Sequence, residues 1–139
     1  MHRHLLALAA LLAVASCANH LPNQDLRILT AQPAAKLAAS DLWKDFQADA
    51  AAAKSRYFGQ AVDISDAPTA IEANAPNAPA GSRMIFLQGG ERGVIARLLD
   101  ERATATVADA KAGARLTLRC FCEGLDENKD VLLKSCIRP

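Results

Sequence analysis

The stretch Leu116-Thr117-Leu118-Arg119-Cys120-Phe121-Cys122 alternates strictly. Leu116, Leu118, Cys120 and Cys122 fall on one side, and Arg115, Thr117, Arg119 and Phe121 on the other. A period of two marks a strand with one face in a core. Gly113 opens it, Gly124 to Asn128 reads as a turn, and residues 131–137 form the next strand. Working back, residues 100–110 read as a short helix with Val107 facing in. Residues 93–99 and 84–88 read as two strands joined at Gly89-Gly90. Residues 73–82, with Pro76, Pro79 and Gly81, read as a loop. Val62, Ile64 and Ile71 then form a long, bent first strand, interrupted by Asp66 and Pro68.

Three strands, a helix and two more strands is the element order of an OB-fold. The expected class is therefore mainly β with helices: a five-stranded barrel with a short helix between strands three and four. A long first strand suits that barrel, because it must curl and pair on both sides. An additional helix precedes the barrel, from about Asp41 to Phe58. Leu42, Phe46, Ala50, Ala53 and Tyr57 lie on one of its faces, with Trp43 beside them. Ser40 is the expected N-cap, and Gly59 stops the helix.

The chain begins differently. Met1-His2-Arg3-His4 is a basic start, and Leu5 to Ala15 are eleven apolar residues in a row. A spanning helix needs about 20 residues, whereas this run suits the apolar part of a signal peptide. It ends in Val14-Ala15-Ser16-Cys17, which resembles the lipobox of bacterial lipoproteins. That resemblance implies cleavage before Cys17 and lipidation of its thiol. Ala18 follows; an Asp there often marks inner-membrane retention, so Ala18 points towards the outer membrane. The expected organisation is a signal over residues 1–16, a flexible tether over 17–39 and an OB-fold domain over 40–139.

Cleavage shortens 139 residues to 123 and removes Arg3, one of the 16 basic residues, leaving 15 against 15 acidic. A neutral domain is not the footprint of a strongly basic nucleic-acid binder. His2 and His4 leave with the signal, and only His20 remains. No Ser-His-Asp or Cys-His set can then be assembled, and no His/Cys cluster has zinc spacing. The expectation is no enzyme, no metal and no cofactor.

Between Leu42 and Ile137 the sequence resembles the tRNA_anti-like family of small bacterial OB-fold proteins, many of them lipoproteins. One matching stretch is Tyr57-Phe58-Gly59-Gln60-Ala61-Val62-Asp63-Ile64. A second is Ala112-Gly113-Ala114-Arg115-Leu116-Thr117-Leu118. The third is Cys122-Glu123-Gly124 followed by Asp130-Val131-Leu132-Leu133-Lys134-Ser135-Cys136-Ile137. The chain departs from the family at Asp66, Pro68 and Cys120. The family's name records distant similarity to anticodon-binding domains and does not establish tRNA binding.

The resemblance implies a disulfide between Cys122 and Cys136. Hairpin arithmetic points elsewhere: with Gly124 facing Asp130, Cys136 lies opposite Leu118, nearer Cys120 than Cys122. A bulge would reconcile the two, and both pairings stay open. Either closes a loop worth roughly 3 kcal/mol in the chain-entropy model. The leftover thiol reads as a small buried hydrophobe.

OB-folds bind polymers on the face of strands two and three. Here that face offers Arg83, Phe86, Arg92 and Arg97, with Arg115, Arg119 and Phe121 on strand four. Single-strand readers need stacking aromatics in a basic groove, and this face has too few. The sequence therefore suggests a lipid-anchored, non-catalytic periplasmic module. Its partners would be the membrane, through the lipid, and a small ligand, envelope polymer or envelope protein. The competing class is a nucleic-acid-binding OB domain.

Overall fold

The computed structural model describes residues 21–72, 83–87 and 93–139. Cys17, Arg92 and the loop at 73–82 lie outside them. A short 3-10 helix, η1 (Leu26–Leu29), and a strand, β1 (Ala35–Leu37), come first. Helices α1 (Ala39–Ala48) and α2 (Ala50–Tyr57) follow. Then come β2 (Ala61–Asp66), β3 (Ala70–Glu72), β4 (Met84–Leu87) and β5 (Val94–Leu98). Helix α3 (Asp100–Asp109) leads to β6 (Leu116–Leu125) and β7 (Val131–Ile137).

The strands form one mixed sheet in the order β1-β2-β6-β7-β5-β4-β3. The chain is mainly β with helices, but among the described residues this is a sheet of seven strands rather than a closed five-stranded barrel. Pro68 accounts for much of the difference. The expected long first strand divides there into β2 and β3, because proline has no N–H to offer a ladder. Before the break, β2 pairs antiparallel with β6. After it, Thr69 N–H donates to Phe86 O at 2.9 Å, and β3 pairs with β4 at the far end of the sheet. The other added strand is β1, which runs parallel to β2. Residues 21–39 are therefore built into the fold, and the flexible tether expected there is corrected.

The helix expected over 41–58 is two helices. Asp49 has an extended backbone (φ −156°), and its carboxylate accepts Ala52 N–H at 3.0 Å. An Asp in that conformation caps a new helix more readily than it continues the old one. The first helix starts behind Ala38 without a side-chain cap, so Ser40 is not the N-cap. Tyr57 Oη ties the two helices by donating to Asp45 at 2.7 Å. The main core lies between these helices and the sheet, around Leu42, Phe46, Ile64, Leu118 and Leu133. Trp43 and Val107 pack half-buried against it, and Gly59 turns the chain into β2 at φ +73°.

The β6–β7 hairpin decides the cysteines. Its first pair is Leu125 with Val131, one step beyond the expected turn. Two bulges follow on opposite strands. Glu123 is the extra residue between Cys122 and Gly124, and Ser135 is extra opposite the step from Phe121 to Arg119. Ser135 takes it up with a left-handed backbone, φ +55°. The two slips cancel, so Cys136 arrives across from Cys120, with Cα atoms 4.2 Å apart and the sulfurs bonded. The disulfide is thus Cys120–Cys136, which corrects the Cys122–Cys136 pairing implied by the resemblance. Cys122 is a buried free thiol, and burial pushes it up to about 12.

A thiol so disfavoured as thiolate is unreactive at neutral pH. Cys120→Ser is expected to cost about 3 kcal/mol by releasing a loop of this length. Cys122→Ser leaves the cross-link intact. Denaturant unfolding with and without reductant checks this: reductant lowers the midpoint of wild type and of Cys122→Ser, and leaves Cys120→Ser unchanged.

Candidate functional site: the outer sheet face and its strap

The sheet face opposite the helices carries the odd members of β6 and their neighbours. The segment from Leu21 to Ala31 packs across part of it as a strap. Ile28 is fully buried there with Ala61, Leu99, Phe121 and Ile137. The Leu-Arg-Ile-Leu run of η1 supplies that anchor, and Asp25 caps it by accepting Arg27 N–H.

The strap is held mainly by the Ser135 bulge. Ser135 Oγ accepts Asp25 N–H at 2.8 Å and donates towards Asn23 O at 3.2 Å. The neighbouring Lys134 ammonium donates to Leu21 O at 3.0 Å and forms a buried ion pair with Glu123, the residue of the other bulge. Gln24 bridges Leu98 O and Asp100 N–H. Arg97 reaches Asn23 Oδ1 at 3.3 Å, while its Nε is buried without a hydrogen-bond partner.

Charge on this face is largely neutralised in place. Arg119 forms a two-point pair with Asp63, at 2.7 and 3.0 Å, and also donates to Ala31 O. The Asp63 carboxylate raises the Arg119 pKa further. Arg27 pairs with Asp25 and lies over the Phe121 ring, 5.6 Å from its centre. The Arg27 guanidinium holds the Asp25 carboxyl below its ordinary range, against the opposing effect of burial.

The residues singled out from sequence are partly separated. Phe86 and Arg97 share the outer face, since Met84 pairs with Arg97 and Phe86 with Ile95. Phe86 is buried with Met84, Ile95 and Leu132. Arg83 belongs to the other alternation and reaches Thr104 on α3. The four were expected to form one face, and those described do not. Sequence reasoning missed Asp25, Asp63, Glu123, Lys134 and Ser135. One signal was available: Leu26, Ile28 and Leu29 form an apolar run inside a segment read as tether.

Beside the strap lies a pocket of about 240 Å³ walled by Leu29, Arg102, Arg119, Ile137, Arg138 and Pro139. Arg138 pairs with Asp109. Among the described residues no group of three His, Cys, Asp or Glu is placed to hold a metal ion. Among them, too, no helix is long and apolar enough to cross a membrane.

The comparisons with known proteins agree with the architecture. A family model described as tRNA_anti-like matches residues 3–137. A solved structure, a "putative nucleic acid-binding lipoprotein" from Klebsiella pneumoniae subsp. pneumoniae MGH 78578, superposes with a TM-score of 0.58 at 15% identity. The match covers 81% of this chain and 94% of that one, and at such identity it shows the shared fold. No curated protein matches significantly.

Because Asp25 has a lowered pKa, its ion pair with Arg27 is complete above the ordinary carboxylate value of about 3.9. The pair is lost as pH falls through the lower value of the folded state. The protection factor of the Ile28 amide, which donates to Asp25 O, should therefore fall on acidification in that range. In Asp25→Asn, protection at Ile28 is expected to be low already at neutral pH and to show no acid step.

Proposed function

Since this chain belongs to the tRNA_anti-like family, we propose that it is a lipid-anchored, non-catalytic OB-type module of the bacterial cell envelope. In this reading it faces the periplasm and binds a small ligand, an envelope polymer or a protein partner. The lipobox Val14-Ala15-Ser16-Cys17 supports export and lipidation, and Ala18 favours the outer membrane. The connectivity supports the OB relationship. The ladder runs β2-β6-β7-β5-β4-β3, and its first and last strands are halves of one segment joined by Ala67-Pro68-Thr69. A first strand that pairs with both the fourth and the second is the OB arrangement, here interrupted by proline.

The observation that carries the binding side of the proposal is the occupied outer face. Single-strand binding needs open aromatic platforms and cations free to track phosphates. Here Phe121 is buried beneath the strap, Phe86 is 6% exposed, and Arg119 is committed to Asp63. The competing reading is a nucleic-acid binder, favoured by the name of the Klebsiella structure with the similar fold.

Mass spectrometry of the protein from native membranes is expected to find Cys17 acylated at the mature N-terminus, with Cys120 and Cys136 oxidised. An uncleaved or unacylated chain removes the envelope reading. Binding to single-stranded DNA and RNA is expected to be weak. Strong binding with a steep salt slope, the mark of phosphate contacts, would decide for the competing class.

A further inference from the structure

The strap leaves two large apolar side chains in solvent. Leu26 is 59% exposed and Leu29 36%. They stand three apart on a 3-10 helix, where residues i and i+3 eclipse, so they form one ridge. Ile28 anchors the helix from below, and Arg27 is neutralised by Asp25.

Next to Leu29 is the pocket lined by Arg102, Arg119 and Arg138. Arg119 and Arg138 carry carboxylate partners, Asp63 and Asp109. Among the described residues Arg102 has no ion-pair partner. Arg102 is thus the guanidinium in this pocket that is open to a phosphate oxygen, with Arg119 and Arg138 beside it.

The length of chain between strap and anchor selects the occupant. Leu21 is bound to Lys134, so only four Cα steps separate the docked strap from Cys17. Those steps span at most ~14 Å, whereas a free tether from Cys17 to Ser40 would reach roughly 80 Å. A lipid on Cys17 thus keeps Leu21, the start of the strap, within ~14 Å of the anchor.

We propose that the Leu26–Leu29 ridge and the adjoining arginine pocket rest on an anionic phospholipid bilayer. The leucines enter the interface and the pocket receives a headgroup phosphate. The lipid anchor then does more than tether the domain: it orients it, with η1 towards the bilayer and α1 and α2 away from it. Partly inserted apolar side chains and electrostatic attraction to anionic lipids are the two contributions that strengthen interfacial binding beyond acyl chains. This inference rests on the lipid-anchor reading of Cys17.

The test uses the full acylated chain in vesicles of phosphatidylethanolamine and phosphatidylglycerol with brominated acyl chains. In Leu26→Trp the added emission should shift to the blue and lose most of its intensity to bromine. Native Trp43, on α1 at the opposite face, should keep its intensity. Arg102→Glu in the same background should weaken the quenching, and so should replacing phosphatidylglycerol by phosphatidylcholine. An unquenched Leu26→Trp in a chain whose Cys17 is acylated overturns the proposal while leaving the anchor reading intact. If Cys17 proves unacylated, the anchor reading fails by itself. The surface is then judged by sedimentation of the same chain with phosphatidylglycerol vesicles: pelleting that Arg102→Glu abolishes supports it, and no pelleting overturns it.

Discussion

Ser135 holds a left-handed backbone in the middle of the central strand, and much of the architecture depends on that one residue. A non-glycine residue in that region costs on the order of 1–3 kcal/mol and persists only where its surroundings over-determine it. Here three consequences do so. The bulge brings Cys136 across from Cys120, and the resulting disulfide closes the hairpin. It shifts the register with β5 on the other side, so that Leu98 faces Cys136 while Ala96 faces Leu133. It also turns the Ser135 hydroxyl onto the outer face, where it receives the strap. The same residue therefore couples the inner core to the outer cover.

The strap changes how the outer face works. An open sheet with scattered arginines would be a plain polymer-binding surface. With residues 21–31 in place, most of its cations are paired internally: Arg119 with Asp63, Lys134 with Glu123 and Arg27 with Asp25, while Arg97 reaches the strap at Asn23. Ion pairs of this kind give limited net stability, because desolvation offsets the attraction. Their main effect here is geometric, since each fixes where the strap or its neighbour can lie. What is left for an outside partner moves to the rim, beside η1 and the start of α3.

Pro68 plays the corresponding role for the sheet. By withholding one donor it ends β2 and lets the chain change partner from β6 to β4. Gly113 N–H donates to Pro68 O, fixing the break against the segment that leads into β6. Pro68 thus has a definite structural result, a first strand in two pieces.

Local patterning was enough for most elements. The alternation from Leu116 to Cys122, the run from Val131 to Ile137 and the helix after Leu99 follow from the period of their apolar residues, and all three stand in the structure. The break of the N-terminal helix was marked by Asp49, a residue that prefers caps, but the apolar stripe on either side concealed it. The apolar run from Leu5 to Ala15 and the lipobox-like Val14-Ala15-Ser16-Cys17 are equally local. Register, in contrast, is set by pairing with another strand. Two cancelling bulges cannot be read from one strand's sequence, so the choice between Cys120 and Cys122 belonged to the tertiary structure. The strap is the extreme case. The wider segment 18–39 is rich in Ala, Asn, Gln and Pro and resembles a linker, although the strap within it carries Leu26, Ile28 and Leu29. The strap is ordered by groups about 110 residues away, Lys134 and Ser135, that meet it only once the sheet has formed.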